Sequence, residues 1–307
     1  MRGLRIFLPL SLLFWTLACS VTSIIPLTPT PTAYVFPTEV VPTVAPMNAD
    51  QIKNAEYTII GFDNASTLYR FTDGTFKRGA DFSAPDYADL RLLDFMPFGD
   101  LNQDGLDDAA VLIAENYGGT GVFVSVAAVL NDNGQPRHAA SYMIDDRPQI
   151  NALEIRNGQI FLDGVVHGPS DAMCCPTFPV TRTFQLLGTS LVLVNASSQT
   201  PGGLSRVISI ESPLAGQDVS GTLIIRGSVT IAPFENNLAL RVYNENGNEL
   251  YAGPVMVDAA DMGAPGTFNV TLDLSTFPPG RILIELSDLS AADGSVLALD
   301  SVMVVVR

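Results

Sequence analysis

Lysine is nearly missing from this 307-residue chain: Lys53 and Lys77 are the only two, and lysine plus arginine total 16 against 32 acidic side chains. The formal net charge of −16 repels phosphate backbones and anionic headgroups. That excludes nucleic acid as an expected partner and disfavours adsorption flat on lipid. Cysteine is scarce too, with Cys19, Cys174 and Cys175 alone, too few for a disulfide framework. The folded parts must therefore stand on apolar burial. The single tryptophan, Trp15, sits near the N-terminus, and histidine is limited to His138 and His167. No G-x-S-x-G, H-E-x-x-H or S-x-x-K occurs, so the common serine-nucleophile and zinc-hydrolase signatures are missing. The apolar run at 6–15 (I-F-L-P-L-S-L-L-F-W) is too short, and broken at Pro9, for an ordinary transmembrane helix.

What is present begins with that run. Arg2 and Arg5 precede it, and T-L-A-C at 16–19 places small residues just ahead of a cysteine. A signal peptidase needs small, extended residues at the cut, and lipid transfer needs a thiol at the new N-terminus. The pattern resembles the lipobox of bacterial lipoproteins, departing from it at Thr16, where the family usually has Leu. Residues 1–18 are expected to be a signal peptide and Cys19 the lipidated mature N-terminus. The address that follows is extracytoplasmic, anchored to the cell membrane by lipid on Cys19. The competing reading is an ordinary secretory signal cut after Ala18. Residues 20–47 are rich in Thr, Pro and Val, and recurrent proline favours an extended spacer rising about 3.1 Å per residue, with a reach of at most about 80 Å.

A mainly β chain is expected beyond that point. Asn48 can cap a short helix through about Ala55, with Asp50 in its first turn. Hairpin signals follow at Asp73-Gly74, at N-D-N-G-Q-P (131–136) and at Asn157-Gly158. The reading is an antiparallel, β-rich α+β domain over 48–196 with one helix and eight or nine strands. A linker follows at 197–206 (S-S-Q-T-P-G-G-L-S-R). Over 207–307 the alternation of Phe268, Val270, Leu272 and Leu274, and of Ile282, Ile284 and Leu286, predicts about seven strands. That is the size of an immunoglobulin-like β-sandwich.

The segments I-E-S-P-L-A-G-Q-D-V-S-G (210–221), I-R-G-S-V (225–229), F-E-N-N-L-A-L-R-V-Y-N (234–244), G-T-F-N-V-T-L (266–272) and A-D-G-S-V (292–296) carry a family likeness. They resemble the immunoglobulin-like module of bacterial spore-germination proteins. The resemblance implies a sandwich in an extracytoplasmic setting and no chemistry. The 48–196 block, through Y-G-G-T-G-V-F, D-R-P-Q-I and H-G-P-S-D-A-M-C-C-P, is similar to domains of uncharacterised bacterial lipoproteins.

Two constellations have chemical content. In F-G-D-L-N-Q-D-G-L-D-D (98–108), Asp100, Asn102, Asp104 and Asp108 stand at positions one, three, five and nine, with Gly105 at the turn and the Leu106 carbonyl available. This converges hard oxygen donors as calcium requires, and the flanks resemble a strand-loop-strand calcium repeat of integrin-type propellers. Position twelve is Val111, which excludes the EF-hand version. One structural Ca2+ is the expectation; an acidic Asx turn is the alternative. The second is His167 with Cys174-Cys175-Pro176. Zinc lacks a fourth ligand, so a disulfide between Cys174 and Cys175 is expected, with two buried reduced thiols close behind. His138 reads as a packed strand residue, and Asp145-Asp146 as a solvated loop.

The function these features point to is a lipid-anchored envelope protein with a non-catalytic binding or structural role. It is expected to be a monomer, partnered by the membrane through its anchor and by an envelope protein or polysaccharide. The alternatives are an extracytoplasmic hydrolase with its site near His167, or an accessory or sensor subunit of a membrane partner.

Overall fold

The structure, a computed structural model, describes residues 45–60 and 66–307. Cys19, the expected signal peptide and nearly all of the Thr/Pro-rich segment lie outside the described residues. The chain is mainly β, as expected. One helix, α1 (Ala49–Lys53), starts where Asn48 accepts the Gln51 N–H (3.0 Å) and Gln51 Oε1 accepts the Asn48 N–H (2.9 Å), a reciprocal cap. β1 (Glu56–Ile60) and β2 (Ser66–Arg70) form a separate two-stranded antiparallel sheet.

The Asp73-Gly74 turn forms, with both residues at positive φ (49° and 77°), but its flanking strands part company. β2 pairs with β1, whereas β3 (Thr75–Arg78) pairs with β4 (Ala88–Leu92) in another sheet, leaving only a Thr72–Thr75 bridge. The cause is competition for the backbone. The Gly74 N–H donates to the Lys53 carbonyl and the Leu92 N–H donates to the Gly74 carbonyl, each at 2.8 Å. Tyr69 and Phe71, on the near side of the turn, are buried with Ile52 and Tyr57.

β5 (Phe98–Gly99), β6 (Asp108–Asn116), β7 (Phe123–Asp132) and β8 (Gln135–Asp146) complete a six-stranded sheet in the order β3-β4-β6-β7-β8, with β5 beside β6. β6 and β7 read as continuous apolar runs because both of their faces are covered. One face buries Ala109, Val111, Ile113, Ala127 and Val129 beneath α1 and the β1–β2 pair. The other buries Ala110, Leu112, Val126 and Ala128 against the next four strands: β9 (Gln149–Arg156), β10 (Gln159–Val166), β11 (Phe178–Leu187) and β12 (Ser190–Gln199). Twelve strands stand where eight or nine were expected, β4 and β5 among them being too short to show clear alternation.

The remaining strands are β13 (Ser205–Arg206), β14 (Ile208–Ser212), β15 (Asp218–Val219), β16 (Thr222–Val229), β17 (Asn237–Asn244), β18 (Glu249–Ala259), β19 (Gly266–Asp273), β20 (Gly280–Leu289) and β21 (Val296–Val306). Seven are long and two are two-residue pieces. They make a sandwich in which β14-β16-β19 faces β17-β20-β21. β18 crosses between layers, pairing first with β17 and then with β19. Leu223, Ile225, Leu240, Val242, Phe268, Leu272 and Ile284 fill the space between.

The segment expected as a linker is instead partly strand. Ser197–Gln199 belong to β12, and Ser205–Arg206 return beside it after a turn over Pro201-Gly202-Gly203. β21 then pairs with β12 at Asn195–Asp300 and Ala196–Leu299, so one sheet continues through both halves. Polar residues seal this join. Asp300 accepts from Asn195 Nδ2 (3.0 Å) and from the Ile210 N–H (2.8 Å). Ser198 Oγ donates to the Leu297 carbonyl (2.6 Å), and Ser301 Oγ to the Val194 carbonyl (2.7 Å). Leu299 packs into the core of the N-terminal half. A Ser-rich composition suggested a tether; instead Ser198 is buried with its hydroxyl on the Leu297 carbonyl, and Ser197 Oγ bonds Thr181 Oγ1.

Candidate functional site

The 100–108 loop closes on its own carboxylates. Asp100 Oδ1 accepts the N–H groups of Gln103 (2.6 Å) and Asp104 (3.2 Å), and its Oδ2 accepts that of Gly105 (2.9 Å). Gly105 takes the positive φ of 85° that the turn requires. Asn102 Oδ1 accepts the Asp104 N–H (3.0 Å), its Nδ2 donates to Asp104 Oδ2 (2.8 Å), and Asp104 Oδ1 accepts the Leu106 N–H (2.8 Å). Asp108, the first residue of β6, is fully buried; its two oxygens accept the Leu101 and Asn131 N–H groups, each at 2.8 Å. Burial raises its pKa, the two backbone bonds pull it back, and the charges of Asp104 and Asp100 push it up again. Among the described residues no group of three or more His, Cys, Asp or Glu side chains is arranged to hold a metal. A cation here would have to part Asn102 from Asp104.

Asp145 and Asp146 are not in a solvated loop: they end β8, and both accept hydrogen bonds. Asp146 is buried and accepts the Val122 N–H (2.7 Å) and both Nε (3.0 Å) and Nη2 (2.5 Å) of Arg147. Asp145 Oδ2 accepts the His167 N–H (2.5 Å) and lies 2.9 Å from His167 Nδ1. A carboxylate at Nδ1 holds a proton there, leaving Nε2 as the acceptor, and Nε2 is buried without a hydrogen-bond partner among the described residues. This has the orientation of a base with its aligning acid, but no hydroxyl or thiol is bonded to it.

Cys174 and Cys175 are joined to each other by a disulfide and are exposed. Their segment is stapled at both ends by Asp171, which accepts from the Gly168 N–H (2.8 Å), the Thr177 N–H (2.7 Å) and Thr177 Oγ1 (2.7 Å). These bonds, the Gly168 N–H foremost, lower the Asp171 pKa. Arg147 Nη2 adds a bond to the Met173 carbonyl (2.5 Å).

A third place was not singled out from sequence. Where the β1–β2 pair stops covering the six-stranded sheet, a cleft of about 830 Å³ opens, lined by Thr58, Ile60, Glu115, Ser125, His138 and Ser141 among others. Glu115 is buried; Oε1 accepts from Ser125 Oγ (2.8 Å) and Oε2 from Tyr117 Oη (2.9 Å). Burial raises its pKa against the pull of those two bonds. His138 Nδ1 accepts the Thr58 N–H (3.3 Å), so the neutral ring carries its proton on Nε2 and donates it to Ser141 Oγ at 2.8 Å. Burial pushes the His138 pKa down to about 4. The ring is thus neutral near pH 7 and wrongly tautomerised to take a proton from Ser141. A signal for this cleft did exist: Glu115 and Ser125 interrupt otherwise apolar runs. Their meeting depends on the β6–β7 register, in which Glu115 faces Phe123 and Ile113 faces Ser125.

No curated protein matches the chain. Among solved structures, the dimeric latent PorU of Porphyromonas gingivalis is similar at 11% identity and a TM-score of 0.27, over 78% of this chain and 31% of that one. The chain thus spans under a third of that protein. Residues 207–295, most of the C-terminal sandwich, match the family described as the immunoglobulin-like domain of bacterial spore germination.

Proposed function

We propose that this chain is a lipid-anchored protein of the cell envelope, held on the membrane by Cys19, with a non-catalytic role in binding or structure. Among the described residues no helix is long and apolar enough to cross a membrane, so attachment would rest on the lipidated N-terminus. Two or more acyl chains, at about 0.8 kcal/mol per buried methylene, give stable anchoring.

The observation that carries the non-catalytic reading is the pairing in the cleft. Both oxygens of Glu115 already accept, from Ser125 and Tyr117, and His138 presents a proton, not a lone pair, to Ser141. Such a surface offers fixed hydrogen-bonding groups to a ligand without a poised base. With no Lys or Arg among its lining residues, it suits a neutral, hydroxyl-rich partner such as envelope polysaccharide better than an anion.

The hydrolase alternative rests on the Asp145–His167 pair. Incubating the full chain with insoluble cell-wall polysaccharide separates the two. Co-sedimentation without release of soluble reducing ends is the expected result. Release of reducing ends that His167→Ala abolishes would replace binding with hydrolysis.

A further inference from the structure

We infer that the Cys174–Cys175 disulfide is a thiol–disulfide exchange site, open to a partner that carries a pair of thiols. The inference goes beyond the binding role and does not depend on it. A disulfide stabilises mainly by restricting the unfolded chain, and the restriction grows with the length of the closed loop. Here the closed loop spans neighbouring residues, the shortest a chain allows, so little stability follows from it.

Its placement fits chemistry better than support. Met173 is 68% exposed, and both cysteines after it are exposed, on the segment between β10 and β11. That segment keeps its shape by other means. Asp171 binds Gly168 and Thr177 across its base, and Arg147 holds the Met173 carbonyl. The sulfur pair is therefore presented on a frame that does not need the S–S bond. Arg147 Nη2 fixes the carbonyl of the peptide that joins Met173 to Cys174, while its charge is paired with Asp146.

The step balances with a dithiol. One partner thiolate attacks a cysteine sulfur, the S–S bond breaks, and a mixed disulfide forms while the other cysteine leaves as thiolate with the electron pair. The partner's second thiol then attacks the mixed disulfide and releases the second cysteine. The partner ends as a disulfide, and its two protons end on Cys174 and Cys175. Two electrons pass from partner to protein.

The test uses the full chain exported to an oxidising compartment, with dithiothreitol as the probe, without denaturant, followed by iodoacetamide and intact mass. The expected result is a chain that arrives oxidised and gains two carbamidomethyl groups within minutes. Its melting temperature should then move by less than about 2 °C, a shift worth under about 1 kcal/mol in a body of this size. Hydrogen exchange should quicken around 168–177 alone. A disulfide that yields only after denaturant is added would overturn the inference. So would reduction that unfolds the N-terminal half, or free thiols at Cys174 and Cys175 in the protein as exported.

Discussion

Replacing Asp108 by Ala tests how the 100–108 loop is held. The Asp108 carboxylate is fully buried at the head of β6 and caps two backbone N–H groups, those of Leu101 and Asn131, both in residues that are themselves buried. Alanine leaves two buried donors without acceptors, each costing about 1–3 kcal/mol. Part of that returns, because the mutation also removes a carboxylate that burial and the neighbouring Asp104 and Asp100 penalise. The net destabilisation should be about 2–4 kcal/mol. At about 2–4 °C per kcal/mol for a body of this size, melting should fall by about 4–16 °C. Circular dichroism melts in excess chelator measure this term apart from any cation. Asp104→Ala, which removes only exposed loop contacts, should move the midpoint by no more than about 2 °C. An Asp108→Ala protein melting within about 2 °C of its parent would refute the reasoning, since two buried N–H groups cannot be orphaned at no cost.

Calcium is the remaining proposal for this loop: one ion, structural, held by Asp100, Asn102, Asp104, Leu106 and Asp108. Melting of the parent should then rise between micromolar and millimolar calcium, by an amount equivalent to about 2.7 kcal/mol at a hundredfold excess over the dissociation constant. Asp100→Ala should abolish the rise, and a flat curve would leave an acidic Asx turn. Stability should also depend on pH through its buried ionisable groups. Burial raises the folded-state pKa of Asp108, Glu115, Glu285, Asp288 and Asp300, so their contribution is full below the unfolded values and lost as pH climbs through the folded ones. His138, with its pKa lowered to about 4, works the other way: it costs stability as pH falls from its unfolded value of 6.5 toward 4, a loss that His138→Gln should not show. Parent and His138→Gln melts that shift in parallel across this range would contradict that sign. Finally, Cys19→Ser should leave unprocessed precursor in the membrane, whereas a Ser variant released and cut after Ala18 would show an ordinary secretory signal.

How much of this was legible in the sequence follows the range of the forces involved. The Asn48 cap and the Asn157-Gly158 turn each depend on a few adjacent residues, and so does the period-two burial of Phe268 and Leu272. Local stereochemistry and one sheet face specify all of these. Adjacency of Cys174 and Cys175 left a disulfide and two buried thiols both open. The strands leaving Asp73-Gly74 could not be assigned that way, because their partners are set by the Lys53 carbonyl and the Leu92 N–H, far from the turn's own chemistry. The same holds for His138: its tautomer is dictated by the Thr58 N–H, eighty residues away. Residues 197–206 looked like a tether because polarity alone does not say whether a hydroxyl meets water or a carbonyl. Ser198 and Asn195 are tied to Leu297 and Asp300, a hundred residues on. Turns and alternation were thus set by local sequence. Which strands share a sheet, and which polar groups line one cleft, were decided only when distant backbone donors and acceptors had to be satisfied together.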